Sequence, residues 1–125
     1  RARGIPMLLC GGAGGKTDPL TLRAGDLSQP HNDALLSKLR NILRREHGFP
    51  RASDAQGRAL KRVPRMGVQA LWFDQPAILP AAWAGGGDGS APQGLSCAGY
   101  GSVVTVTAAM GLAAANQAVQ AILAA

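Results

Sequence analysis

The stretch DALLSKLRNILRREH, residues 33 to 47, restricts the fold of this chain more than any other. Projected at 100° per residue, Leu35, Leu36, Leu39, Ile42 and Leu43 fall within about 120°, which predicts a helix with a single apolar stripe. Lys38, Arg40, Arg44 and Arg45 occupy the opposite arc. Asn32 and Asp33 stand where an N-cap belongs and Gly48 where a helix stops, while Arg44, Arg45 and His47 suit the negative end of the helix dipole. A one-sided helix of this kind needs an apolar surface to lie on. Burying its aliphatics at roughly 1.5–3 kcal/mol each would hold it against a sheet.

The flanking segments supply the strands. IPMLLC, residues 5 to 10, is a continuous apolar run ended by glycine and predicts a central strand buried on both faces. LTLRAGDL, residues 20 to 27, alternates Leu20, Leu22 and Ala24 against Thr21, Arg23 and Gly25, predicting a strand with one buried face. GVQALWFD, residues 67 to 74, predicts a third strand, with Val68, Ala70 and Trp72 on one side and Gln69, Leu71 and Phe73 on the other. Strands and helix together make an α/β unit. SVVTVTAAMGLAAANQAVQAILAA, residues 102 to 125, mixes β-branched residues with alanines and is read as helix throughout. Its length approaches that of a membrane span, but Thr105, Thr107, Asn116, Gln117 and Gln120 would place polar groups at membrane depth. The expectation is a helix between the sheet and a subunit partner, without a membrane.

With 125 residues, 46% of them hydrophobic and 16% charged, the chain has the composition of one globular domain or part of one. Its net charge of +6 makes polyanions natural partners. Residues 48 to 66 form a basic loop in which Arg51, Arg58, Lys61, Arg62 and Arg65 face the single acid Asp54, either a solvated surface or an RNA contact. Residues 76 to 96, rich in Pro, Gly and Ala, have the composition of a flexible loop with Trp83 as its anchor. Cys10 and Cys97 lie far apart and form no Cys-x-x-Cys pair, and His31 and His47 flank the helix, so no zinc site is expected. Reduced thiols in the cytoplasm are expected instead. The chain opens on Arg1 and soon enters an apolar run, as a piece of something longer would.

MLLCGGAGGKTDPL, residues 7 to 20, looks like a strand entering a phosphate-binding loop. A P-loop needs G-x-x-x-x-G-K-[ST] followed by a helix, whose N-terminal dipole helps hold the phosphates. Here Cys10 holds the first position, and Asp18-Pro19 leads into an alternating strand. The P-loop reading fails. Gly11, Gly12, Gly14 and Gly15 remain as a turn at the carboxyl end of a strand, where α/β sheets bind ligands, so a supporting role at a site is retained.

Taken in order, GIPMLLCGGAGGKTDPLTLRAGDL, DALLSKLRNILRR, VQALWFDQPAILP and CAGYGSVVTVTAAMG resemble the C-terminal half of the tRNA threonylcarbamoyladenosine dehydratase family. That family lies within the ThiF/MoeB/HesA ubiquitin-activating-like superfamily. The Gly-Gly-Ala-Gly-Gly loop before Asp18-Pro19, and Cys97-Ala98 leading through Gly99, Tyr100 and Gly101 to a Thr- and Ala-rich helix, are its most specific parts. Like the dehydratases, and unlike MoeB relatives, the chain lacks paired Cys-x-x-Cys motifs. It departs from them at Phe73 to Pro76, where a Ser-containing step to Glu is usual, and by one residue fewer between Cys97 and Tyr100.

The resemblance implies the C-terminal part of a Rossmann-like ThiF/MoeB-type mixed sheet with flanking helices, spanning residues 1 to 125 and lacking the ATP-binding half. It implies a homodimeric enzyme that uses ATP, with Mg, to activate the carboxylate of the threonylcarbamoyl group beside the anticodon of tRNA. Ring closure follows with net loss of water, and a nucleophile held nearby removes much of the entropic barrier. A cysteine-desulfurase sulfur-acceptor protein is a further implied partner, and the fragment alone is expected to be inactive. Arg58, Lys61, Arg62 and Arg65 are the candidates for tRNA contact. Cys97, just ahead of a helix N-terminus, is a candidate catalytic thiol or else a small buried residue. Cys10, inside an apolar strand, is expected to be inert. Two other readings stand beside this one: a ThiF/MoeB-like adenylyltransferase in sulfur transfer, and a non-catalytic basic RNA-binding module.

Overall fold

In a computed structural model of the chain, the described residues are 3–78 and 101–125. Their elements run β1 (Leu8–Cys10), β2 (Leu22–Asp26), α1 (Ala34–Glu46), β3 (Gln69–Phe73) and α2 (Val104–Leu123), with a 3-10 turn at Pro19–Thr21 before β2. The three strands form one mixed sheet in the order β1-β3-β2. β1 runs parallel to β3, with Leu9 opposite Ala70, and β2 runs antiparallel to it, with Ala24 opposite Leu71.

β3 is the centre of the fold because its alternation points two apolar faces in opposite directions. Ala70 and Trp72 join Leu27, Leu36 and Met66 in one buried cluster, against which Leu43 of α1 and Phe49 pack. Leu71 and Phe73 join Val106 and Met110 of α2 in the other. One helix therefore covers each face, as the two-sided reading of GVQALWFD requires. α1 begins at Asp33, whose side chain accepts from the Leu36 amide, and ends through His47 at Gly48, with φ +66°. Both expected boundaries hold.

Other expectations are corrected. β1, read as central, is a three-residue edge among the described residues, and Cys10 within it is exposed rather than buried. Leu20 does not line a buried strand face. Asp18 caps the 3-10 turn by accepting from the Leu20 amide, which turns Leu20 into solvent at 85% exposure, and Ala24 is exposed too. Arg40 and Arg44, on the arc opposite the apolar stripe, are half-buried because their guanidiniums reach backbone carbonyls. Arg40 donates to Pro30 O and Arg44 to Pro50 O, both at 3.1 Å.

α2 buries only Val106 and Met110, and leaves Leu112, Val119, Ile122 and Leu123 exposed. By length and composition it is apolar enough to cross a membrane, with a mean hydropathy of 1.3. Ile5 and Met7, ahead of the β1 edge, are exposed as well. Raw apolar surface thus remains on both the edge and the long helix, outside the two buried clusters.

Candidate functional site

The carboxyl ends of parallel β1 and β3 and the N-terminus of α1 converge on the glycine loop. The Gly11 amide extends the ladder to Leu71 O at 2.8 Å, and the Gly12 amide then turns to the Asp33 carboxylate at 2.9 Å. Asp33 divides its oxygens: Oδ2 holds Gly12, while Oδ1 caps α1 through Leu36 N at 2.8 Å. Gly11 must lack a side chain for this to happen, since a Cβ there would overlap Asp33 Oδ2 and stand 2.9 Å from its Cγ. Gly15, at φ +69°, is buried; its amide donates to Gly101 O at 3.2 Å, and its carbonyl accepts from Ile78 N at 2.8 Å. Gly14 is half-buried beside it.

Lys16 is 4% exposed, and its ammonium donates to the carbonyls of Asn32 and Gln75. Burial pulls its pKa below the ordinary value, while Asp33 and Asp74 oppose that pull. Around it, the Gln75 side chain accepts from the Thr17 and Asp18 amides at 3.1 and 3.0 Å and donates to Thr17 Oγ1 at 3.0 Å. Asn32, at φ +56°, donates through its side chain to Asp74 at 3.1 Å. A phosphate-binding lysine is a point charge free to reach its anion. This one is committed to the protein, and a 3-10 turn rather than a helix follows it. Rejection of the P-loop therefore has a structural cause. The four glycines form a turn at the carboxyl end of β1, and beside Gly15 stands a buried lysine.

A second polar centre lies at the far end of β2. Asp26, 3% exposed, accepts from the Met66 and Gly67 amides at 2.8 and 2.7 Å and from Ser28 N at 2.9 Å. Burial raises its pKa, but these bonds to the charged form outweigh that effect and hold it at about 2. It ties the end of the basic loop to the sheet. Sequence reading missed it, because a lone Asp in an alternating segment looks like a solvent-facing residue.

The basic loop is more ordered than its composition promised. Ser53 and Ala59 form an antiparallel bridge around a turn in which Asp54 accepts from Gln56 N and Arg58 N. Arg58 also donates to the Asp54 carboxylate at 3.0 Å, so part of its charge is compensated. Lys61, Arg62 and Arg65 are exposed. The structure does not bring this loop together with the glycine loop. Cys97 and residues 79–96 of the expected flexible loop lie outside the described residues, and no group of three or more His, Cys, Asp or Glu suited to a metal occurs among the described residues.

The mixed sheet with a helix on each face matches a solved structure of the ThiF/MoeB-like α/β class. No family model matches the chain. Over 120 residues, 95% of the chain, it is 32% identical to the tRNA threonylcarbamoyladenosine dehydratase of Haemophilus influenzae, and over 130 residues it is 28% identical to that of Escherichia coli. It spans about two fifths of these relatives, 41% and 43% of their lengths. The solved structure of TcdA (CsdL) superimposes on 98% of the chain with a TM-score of 0.70 at 25% identity, covering 40% of that structure. The E. coli dehydratase TcdA in complex with AMP gives 0.68 at 26% identity over the same shares. The resemblance read from the sequence thus holds in both sequence and fold.

Proposed function

We propose that this chain is part of an ATP-dependent enzyme that dehydrates threonylcarbamoyladenosine in tRNA. The observation that carries the reading is agreement of sequence and fold over one and the same span, nearly the whole chain, with dehydratases of that name. The described residues do not fit a nucleotide or Mg site of their own: Lys16 is committed to carbonyls, and no cation-binding cluster is present among them. The chain contributes scaffold instead. It fixes the glycine loop at the carboxyl edge of the sheet, offers Lys61, Arg62 and Arg65 to tRNA phosphates, and offers the apolar face of α2 to a second subunit. By itself it is inactive, and its setting is the cytoplasm, where the free thiol of Cys10 would persist.

The test is a chimera in which this chain replaces the matched two fifths of the E. coli relative, expressed in cells lacking their own dehydratase. Mass spectrometry of digested tRNA should show the cyclised nucleoside. A soluble chimera that leaves only the open form would refute the reading.

A further inference from the structure

Gly15 and Lys16 are adjacent, both are buried, and between them they bond to Asn32, Gln75, Ile78 and Gly101 at the carboxyl edge of the sheet. Gly15 takes Ile78 on its carbonyl and Gly101 on its amide. Lys16 takes Asn32, the residue ahead of the α1 cap, and Gln75, just past β3. Ile78 and Gly101, far apart in sequence, are thereby anchored to one glycine, and the glycine is anchored by the lysine beside it. An apolar side chain would be easier to bury but would leave both carbonyls without this donor. The Gln75 side chain also reaches the loop, yet its bonds to Thr17 and Asp18 are exposed to water, whereas Lys16 is enclosed.

We propose that Lys16 is a positioning residue: its buried ammonium fixes the glycine loop relative to the end of β3 and the start of α1, and so sets where Ile78 and Gly101 stand at the edge of the sheet. Its consequence for catalysis rests on the function proposed above; its consequence for the loop does not. The charge belongs to the scaffold, and no substrate phosphate is its partner. Asp33 and Asp74 favour the charged form of Lys16 electrostatically, while Asp33 separately holds Gly12 and the α1 cap. Losing the lysine should therefore release one corner of the fold and spare the rest.

Hydrogen exchange on the full chain tests this. Lys16→Met should speed exchange of the Gly15 and Ile78 amides about tenfold or more while β3 and α1 keep wild-type rates, since local openings are independent of the global one. Gln75→Ala should release Thr17 and Asp18 only. Should Lys16→Met unfold outright, Lys16→Gln, which keeps a donor, replaces it with the same expectation. Wild-type exchange at Ile78, equal acceleration everywhere, or release of Ile78 by Gln75→Ala would each overturn the proposal. In the chimera, Lys16→Met should lower kcat about tenfold with KM for tRNA within about twofold, and Lys16→Arg should restore part of kcat. An unchanged kcat would also overturn it. A parent chimera that never cyclises its substrate would refute the function reading and leave the exchange comparison standing.

Discussion

Replacing Gly11 by Ala tests the linkage of loop to helix, because its cost should vanish when Asp33 is gone. A Cβ at Gly11 would displace the Asp33 carboxylate, with Leu36 Cδ1 only 3.2 Å away on the other side. Asp33 then loses its cap bond, about 0.5–2 kcal/mol, and the Gly12 amide loses its acceptor, about 1–3 kcal/mol. Asp33→Ala breaks the same two bonds directly. Each single variant should thus cost roughly 1.5–5 kcal/mol, and the double variant no more than Asp33→Ala alone. Urea unfolding followed by Trp72 emission in a Trp83→Phe background measures all of these, because Trp72 is buried against the α1 side of the sheet. If the two costs add to within about 0.5 kcal/mol, the residues do not share a contact and the derivation is wrong.

Asp26 should make the fold acid-sensitive. Its folded pKa of about 2 lies below the ordinary 3.8, so its contribution is present above the unfolded value and is lost as pH falls through the folded one, about 2 kcal/mol between roughly pH 5 and pH 2. Asp26→Asn should flatten that part of a urea-midpoint profile, and an unchanged profile would count against the assignment. Replacing Lys61, Arg62 and Arg65 together by Ala in the chimera should weaken tRNA binding and reduce the slope of log affinity against log salt by about 2–3, measured by filter binding; an unaltered slope places the RNA elsewhere. Arg58→Ala, which breaks an exposed ion pair, should leave the urea midpoint essentially unchanged and should reduce RNA affinity less than Lys61→Ala.

The helices and the central strand were legible because their signals are periodic and local. α1 declared itself through a stripe, a cap and a stop, and β3 through alternation that sends Trp72 and Phe73 to opposite faces. Leu20 misled because alternation cannot see a cap. Asp18 closes the turn two residues earlier, and the strand starts only at Leu22. Arg40 and Arg44 misled for a related reason: a helical wheel gives the direction of a Cβ, whereas a long guanidinium stem can double back to a carbonyl. The site was legible as a loop and illegible as a knot. Lys16, Asn32 and Gln75 are joined by backbone carbonyls, which carry no sequence signature at all.

That difference bears on how a glycine-rich loop with a lysine should be read. The pattern shares its chemistry with phosphate loops: small residues let backbone amides converge, and a cation stands ready. In this chain the acceptors that these amides meet are the protein's own. Gly12 N–H is taken by Asp33, and Thr17 and Asp18 N–H by the amide oxygen of Gln75. The lysine, in place of a phosphate, neutralises the neighbourhood of Asp33 and Asp74. A phosphate that took the Gly12, Thr17 or Asp18 amides would have to break native bonds to do so. The loop can, however, hold other segments in place with the rigidity that a reaction between positioned groups demands.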